Sequence, residues 1–252
     1  AMLSALWLCC RMRYCGTIMK VASYNIRKCV GLDWQRRPDR IAAVLGEIGA
    51  AVVLVQEADK RMGERSGTLS DNELRRACGL RLVPVNGDGV SHGFHGNALL
   101  VSVDVAVERL EPLELPSLEP RGAILAEVSD TDGRRLRLIG THLGLRGADR
   151  RRQVETIVAA LERCETAMPA VVLGDFNEWF SPGDSLSSLY ARFSSTELGV
   201  TFHTSAPVAS LDRIFVSSEI AVSAAGVHRS PTAQRASDHL PVWADLELEG
   251  VP

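Results

Sequence analysis

The chain is expected to fold as an α/β protein in which two largely antiparallel sheets pack face to face with helices outside. Three observations predict this. Short apolar runs ending in polar pairs recur along the sequence, strand patterns outnumber helical ones, and several strands adjoin as hairpins. The 252 residues are 46% hydrophobic and 23% charged. That is enough apolar material for the core of one large domain, and no composition break or low-complexity segment divides it.

The elements follow in order. Residues 19–26 read as a strand. Pro38 opens a helix with Ile41, Val44, Leu45 and Ile48 at helical spacing. Residues 51–55 form a buried strand ending at Gln56-Glu57. Residues 71–78 form a short helix, capped by Asp71 and stopped by Gly79, and 80–85 a strand. A glycine-rich loop, 87–96, holds His92, Phe94 and His95. Strands at 97–103, 123–128 and 135–140 come next, the last after a hairpin turn at Asp132-Gly133. A long amphipathic helix, 149–164, places Val154, Ile157, Val158 and Leu161 on one face. A buried strand at 170–173 precedes a short helix at 185–193, and 211–216, 221–227 and 240–248 close the chain as strands. The folded domain is therefore expected over 19–248. Residues 1–18 are expected to be a loosely attached, dispensable extension and 249–252 a tail.

Bulk properties narrow the function. A net charge of −3 gives no strong basic field to draw in nucleic acid. The basic run 146–152 opens a helix, where cations oppose the macrodipole, and reads as a solvated helix face. Cysteines at 9, 10, 15, 29, 78 and 164 make no CxxC pair and no zinc-finger spacing, which fits free thiols in a reducing, cytoplasmic setting. The apolar stretch 2–10 is too short to span a bilayer, and Arg11 and Arg13 follow it, the wrong order for a secretory signal. No membrane segment and no protein partner are implied.

Five strand ends carry chemistry: Ser23-Tyr24-Asn25, Gln56-Glu57, Thr141-His142, Gly174-Asp175-Phe176-Asn177 and Ser237-Asp238-His239. Each alone has a plain structural explanation. Asp175 can cap a turn, His142 can be a satisfied structural histidine, and Arg121 beside Pro120 can be a solvated charge. Together they form a kit for holding a phosphate beside a hard metal ion. A phosphodiester repels hydroxide, and a divalent cation on its oxygens removes much of that penalty. Glu57 is a hard carboxylate suited to Mg²⁺ or Mn²⁺. Asp175 would orient or deprotonate the attacking water, and Asn177 would donate its amide to a phosphate oxygen. His239 would stabilise the pentacovalent phosphorus or shuttle a proton, with His142 donating from the other side. Arg121 offers a forked donor to the substrate phosphate.

Read in order, Tyr24-Asn25-Ile26, Gln56-Glu57, Gly96-Asn97-Ala98-Leu99-Leu100, Arg121-Gly122, Thr141-His142-Leu143, Gly174-Asp175-Phe176-Asn177, Leu211-Asp212-Arg213-Ile214 and Ser237-Asp238-His239 resemble the endonuclease/exonuclease/phosphatase superfamily of metal-dependent phosphohydrolases over about residues 19–248. The resemblance implies a four-layer, DNase I-like α/β sandwich with the site at one end of both sheets. It adds Asn25 and Asp238 to Glu57 as metal contacts and assigns Asp212 the orienting of His239. It adds Asn97 to Arg121 at the substrate phosphate. Two departures stand out. The stretch Gly93-Phe94-His95-Gly96 lacks the tyrosine that contacts phosphate in many nuclease members, and His142 stands where abasic-site endonucleases usually carry Asn. The segments between motifs are short, with no insertion built to grip a duplex or enter a lipid. The expected activity is a Mg²⁺-dependent phosphodiesterase acting on nucleic acid or on a small or lipid diester. A phosphomonoesterase and a catalytically silent binding module stay open as alternatives. His92, His95 and His203 receive no role.

Overall fold

The computed structural model describes residues 18–60, 66–85, 91–180 and 184–248. The N-terminal part supplies β1 (Ile18–Asn25), β2 (Val52–Gln56), β3 (Leu80–Val83) and β4 (Ala98–Ser102). The middle supplies β5 (Ala106–Leu115), β6 (Arg121–Ser129), β7 (Arg135–His142), β8 (Ala170–Asp175), β9 (Ser194–Ser195) and β10 (Asp212–Val216), and β11 (Ala221–Val227) and β12 (Val242–Glu247) close the chain. They pair into two six-stranded sheets, ordered β11-β12-β1-β2-β4-β3 and β5-β6-β7-β8-β10-β9. Pairing is antiparallel except at the centre of each sheet, where β1 runs parallel to β2 and β7 to β8.

Of those central strands, β2 and β8 are apolar up to their last residue because both of their faces are covered. Val52 and Leu54 point into the layer between the sheets, where they meet Leu138, Val171 and Leu173. Val53 and Val55 point outward to a second core with Ile41, Val44 and Leu45 of α1 (Pro38–Ile48) and Leu74 of α2 (Asp71–Cys78). On the far side, Ile139 and Val172 pack beneath Val154, Ile157 and Val158 of α3 (Gly147–Glu162). The result is four layers, helix–sheet–sheet–helix, with the short helices α4 (Ser187–Tyr190) and α5 (Ala233–Ala236) at the periphery. At Gly140 a Cβ would sit 2.2 Å from the Leu54 side chain. The missing side chain lets the two sheets close at that point.

The structure differs from the expectations in four places. Strand β5 has no counterpart in the sequence reading. It is an edge strand that pairs only with β6, bends at a register shift near Val107 and contains Pro112, so its alternation is broken. The α2 cap is Ser70, whose hydroxyl accepts from Glu73 N–H at 3.4 Å, and not Asp71, whose carboxylate instead accepts from Leu82 N–H at 2.8 Å. Arg150 does not lie on a solvated face. It is buried against Glu178 at 3.0 Å and donates to the Leu145 carbonyl at 2.7 Å. Of the expected extension, Ile18 opens β1 and 1–17 lie outside the described residues, as does the tail 249–252 and part of the loop 87–96. Cys29, Cys78 and Cys164 are free thiols, and Cys9, Cys10 and Cys15 lie outside the described residues.

Candidate active site

Pairing brings the polar strand ends to one edge of the sandwich. Asn25 ends β1 beside Gln56 of β2, and His142 ends β7 beside Asp175 of β8. Asp212 opens β10 opposite Asp175, and Arg121 opens β6 two positions from the residue paired with Thr141. Close approach is needed here. A Cβ on Gly174 would lie 2.0 Å from the Thr141 carbonyl oxygen, so only glycine lets β8 deliver Asp175 next to His142.

Across the sheets, the buried Asp175 carboxylate is the hub. Asn25 donates its amide to Oδ2 at 3.0 Å and Asn177 N–H donates to Oδ1 at 3.0 Å. Two histidine Nε2 atoms face the same Oδ2, His142 at 3.5 Å and His239 at 3.7 Å. The far nitrogen of His239, Nδ1, is held by Asp212 Oδ2 at 2.8 Å, and that oxygen also accepts from the Thr201 hydroxyl at 2.6 Å.

The two imidazoles sit in opposite charge states. Burial alone would keep His239 neutral, but Asp212 and Asp175 outweigh it and push the group up to about 10. For His142, burial acts with Arg121, His239 and Lys28, against Asp175, and drives it down to about 3. At neutral pH the His239–Asp212 contact is therefore an ion pair and the His142–Asp175 contact is not. Arg121 Nη1 lies 3.1 Å from the His142 ring nitrogens, and a neutral ring can accept from it.

Glu57 faces a cleft of ≈ 290 Å³ that it shares with Lys28, Lys60, His95, Arg121 and His142. The Lys28 ammonium contacts the Glu57 carboxylate directly. Asp238 pairs with Arg27 at 3.3 Å, and Arg27 N–H in turn donates to Asn25 Oδ1 at 3.1 Å. Each acid that the resemblance assigns to metal thus has a basic neighbour from the turn after β1. Asn97 stands apart. Its amide nitrogen donates to the Phe94 and Gly122 carbonyls at 3.1 and 2.9 Å, which fastens the loop before β4 to β6. The Asn177 amide donates to Leu143 carbonyl at 2.9 Å. Lys28 and Thr201 were not singled out from sequence. Neither lies in a strand-end motif, and Thr201 reaches Asp212 only through the loop before β10.

A divalent cation fits this donor set. The available atoms are carboxylate and amide oxygens with one imidazole and no thiol, the preference of Mg²⁺ or Mn²⁺. Asp175, Asp212 and His239 lie with candidate atoms within 4.8 Å of one another, but a protonated His239 has no lone pair for a metal and Asp212 Oδ2 is already shared by Thr201 and His239. Its second oxygen, Oδ1, is buried and has no hydrogen-bond partner.

Backbone strain is concentrated here. Among the described residues, seven non-glycine residues have positive φ: Arg27, Lys28, Cys29, Trp34, Glu57, His95 and Asn177. All lie on connections at this edge. Glu57 (φ 54°) and Asn177 (φ 49°) follow the central strands β2 and β8, so the chain turns sharply after each one.

A family model described as "Endonuclease/Exonuclease/phosphatase family" matches residues 22–239. The uncharacterized protein YbhP of Escherichia coli strain K12 is 28% identical over 164 residues, 62% of this chain and 64% of that protein, so the match spans under two thirds of the relative's length. The crystal structure of an endonuclease/exonuclease/phosphatase from Bacteroides vulgatus superposes with a TM-score of 0.73 at 22% identity, covering 92% of this chain and all of that one. A mannosyl-6-phosphatase of Bacteroides thetaiotaomicron superposes with a TM-score of 0.70 at 20% identity, covering 90% and 99%. At these identities the two structures speak for the fold alone.

Proposed function

This chain belongs to the endonuclease/exonuclease/phosphatase family of phosphohydrolases, and on that premise we propose that it is a Mg²⁺-dependent phosphodiesterase. The observation that carries the reading is geometric: His142 and His239 face one buried Asp175 oxygen at 3.5 and 3.7 Å, and Asp212 fixes the far nitrogen of His239 at 2.8 Å. Asp175 accepts a proton from, or aligns, the attacking water. His239, locked by Asp212, presents a fixed positive charge to the phosphoryl oxygens as negative charge develops there. His142 and Arg121 complete the cradle from β7 and β6. A metal ion held at Glu57, with Asn25 and Asp238 near it, would neutralise phosphate charge. Asn97 acts indirectly, by holding the loop that carries His95 against the cleft.

One observation favours a second reading, a phosphomonoesterase. The cleft collects Lys28, Lys60 and Arg121, more basic groups than the sequence alone offered, and a dianionic phosphate would use them. The retained acids and histidines argue against a silent binding module. The test is hydrolysis of bis(para-nitrophenyl) phosphate against para-nitrophenyl phosphate, with and without added Mg²⁺. Faster turnover of the diester supports the main reading, faster turnover of the monoester the second, and no turnover of either with any divalent metal refutes both.

A further inference from the structure

The described residues include eight large apolar side chains that are exposed, and six of them leave the edge that carries the active site: Trp34, Leu118, Leu145, Trp179, Phe180 and Val208. The other two, Ile18 and Val103, lie at the opposite end, the first opening β1 and the second following β4. Scattered single exposures need no explanation, whereas a set gathered around one cleft does. These six come from five separate connections, so none of them is an inserted loop. All five leave the sandwich at the strand ends that carry the site.

The rim is continuous with the site. Leu118 and Leu145 line a groove with Glu119 and Arg121, two residues that also line the Glu57 cleft. Trp179 packs edge-on to Phe202, and Phe202 lies against His239, with ring centres 5.6 and 4.8 Å apart. Cations accompany the apolar groups. Arg146 lines the groove with Leu118 and Leu145, and Arg151 lines the next one with Phe180. The Arg27 guanidinium stacks over Trp34 at 4.6 Å. Most acids in those grooves are already matched: Glu119 by Arg121, Asp149 by Arg152 and Glu178 by Arg150. Arg146 and Arg151 are exposed and make no ion pair among the described residues.

Aromatic and aliphatic tips interleaved with arginines, all on one face, match the boundary of an anionic bilayer, where rings and alkyl groups enter the headgroup layer and guanidinium groups meet lipid phosphates. We propose that this rim docks the protein on an anionic phospholipid surface, so that the phosphodiester of a membrane lipid enters the cleft. This rests on the phosphodiesterase reading and names the source of its diester.

Vesicle sedimentation tests the docking without requiring turnover. The protein is mixed with extruded vesicles of pure phosphatidylcholine or of phosphatidylcholine with phosphatidylglycerol. Partition onto the anionic vesicles is expected to exceed that onto the zwitterionic ones by about tenfold. Trp179→Ser/Phe180→Ser, made on exposed residues, should lower it by about tenfold, and Arg146→Glu/Arg151→Glu should abolish the anionic preference. Val103→Ser, at the far end, should bind as the parent does. Equal partition of parent and Trp179→Ser/Phe180→Ser protein would overturn the proposal, as would no binding to either vesicle. So would capture of a single-stranded oligonucleotide, lost in the same variant, without vesicle binding. Hydrolysis of soluble bis(para-nitrophenyl) phosphate is scored separately. Vesicle binding without it keeps the docking and removes the hydrolase reading, and the reverse result removes the docking alone.

Discussion

At the ends of β1 and β2 the first sheet carries Asn25 and Glu57, and at the equivalent ends of β7 and β8 the second carries His142 and Asp175. The surroundings of these residues differ sharply. Glu57 is 19% exposed and paired with a lysine from a turn, whereas Asp175 is 2% exposed and bound by Asn25, Asn177 N–H and two histidines. One strand plan, used twice, has yielded an acid with an exchangeable partner and an acid with fixed partners. A partly buried pair of the first kind, open to the cleft on one side, can exchange its ammonium for another cation. A buried pair of the second kind is costly to break, about 3–5 kcal/mol when one member is removed. The first sheet is thus suited to taking up and releasing an ion, the second to holding a geometry through turnover.

The largest effects should come from the fixed half. Asp175→Asn and His239→Ala are each expected to cut phosphoester turnover by at least about a hundredfold while the folded protein persists. Near-normal rates in either, with an unchanged circular dichroism spectrum, would end the distinction. Next comes the exchangeable half: Glu57→Gln should raise the Mg²⁺ concentration for half-maximal rate by about tenfold, and chelation should silence the parent enzyme reversibly. A Mg²⁺ titration that superposes on the parent's would move the metal site elsewhere. Lys28→Met should act with the opposite sign, lowering that Mg²⁺ requirement by about threefold, because the ammonium and the metal compete for one carboxylate. An increased requirement would recast Lys28 as a helper of the metal.

The smallest effect is on stability, and the two halves of the histidine pair give it opposite limbs. His239, raised from 6.5 to about 10, contributes stability that is fully present below pH 6.5 and lost as pH rises through 10. His142, lowered to about 3, acts in reverse. Below pH 6.5 the unfolded chain takes up a proton that the native site refuses, and stability declines as pH falls towards 3. Melting temperature should peak near neutrality, with His142→Ala flattening the acid limb and His239→Ala the alkaline one. Parallel pH profiles for all three proteins would show that these rings do not titrate as described.

Much of this edge was legible in the sequence because an apolar run followed by an Asn, Asp, Glu or His leaves few alternatives to a buried strand delivering a polar group. That logic located Asn25, Glu57, His142, Asp175 and His239 at one edge, and the family resemblance added Asp212. It failed where a contact depends on a loop path. Thr201 binds Asp212 across the connection before β10, and Lys28 reaches Glu57 only because the turn after β1 is left-handed. It also misjudged Arg150, since helical position alone does not reveal that Glu178 waits beneath it. Strand β5 escaped because an edge strand with one neighbour and a proline needs no alternation.

The left-handed turn Arg27–Cys29 has a further consequence. Three successive residues at φ of 45°, 57° and 61° cost on the order of 1 kcal/mol each, against a total stability of roughly 5–15 kcal/mol for such a domain. Glycine would relieve the strain at Lys28 but remove the ammonium facing Glu57. Relief of strain and retention of the Lys28–Glu57 contact therefore pull this segment in opposite directions. A lineage adapting to higher temperature would find its tolerated substitutions away from this turn, on the edge strands β3 and β9 and the outer helices, and leave the turn under strain.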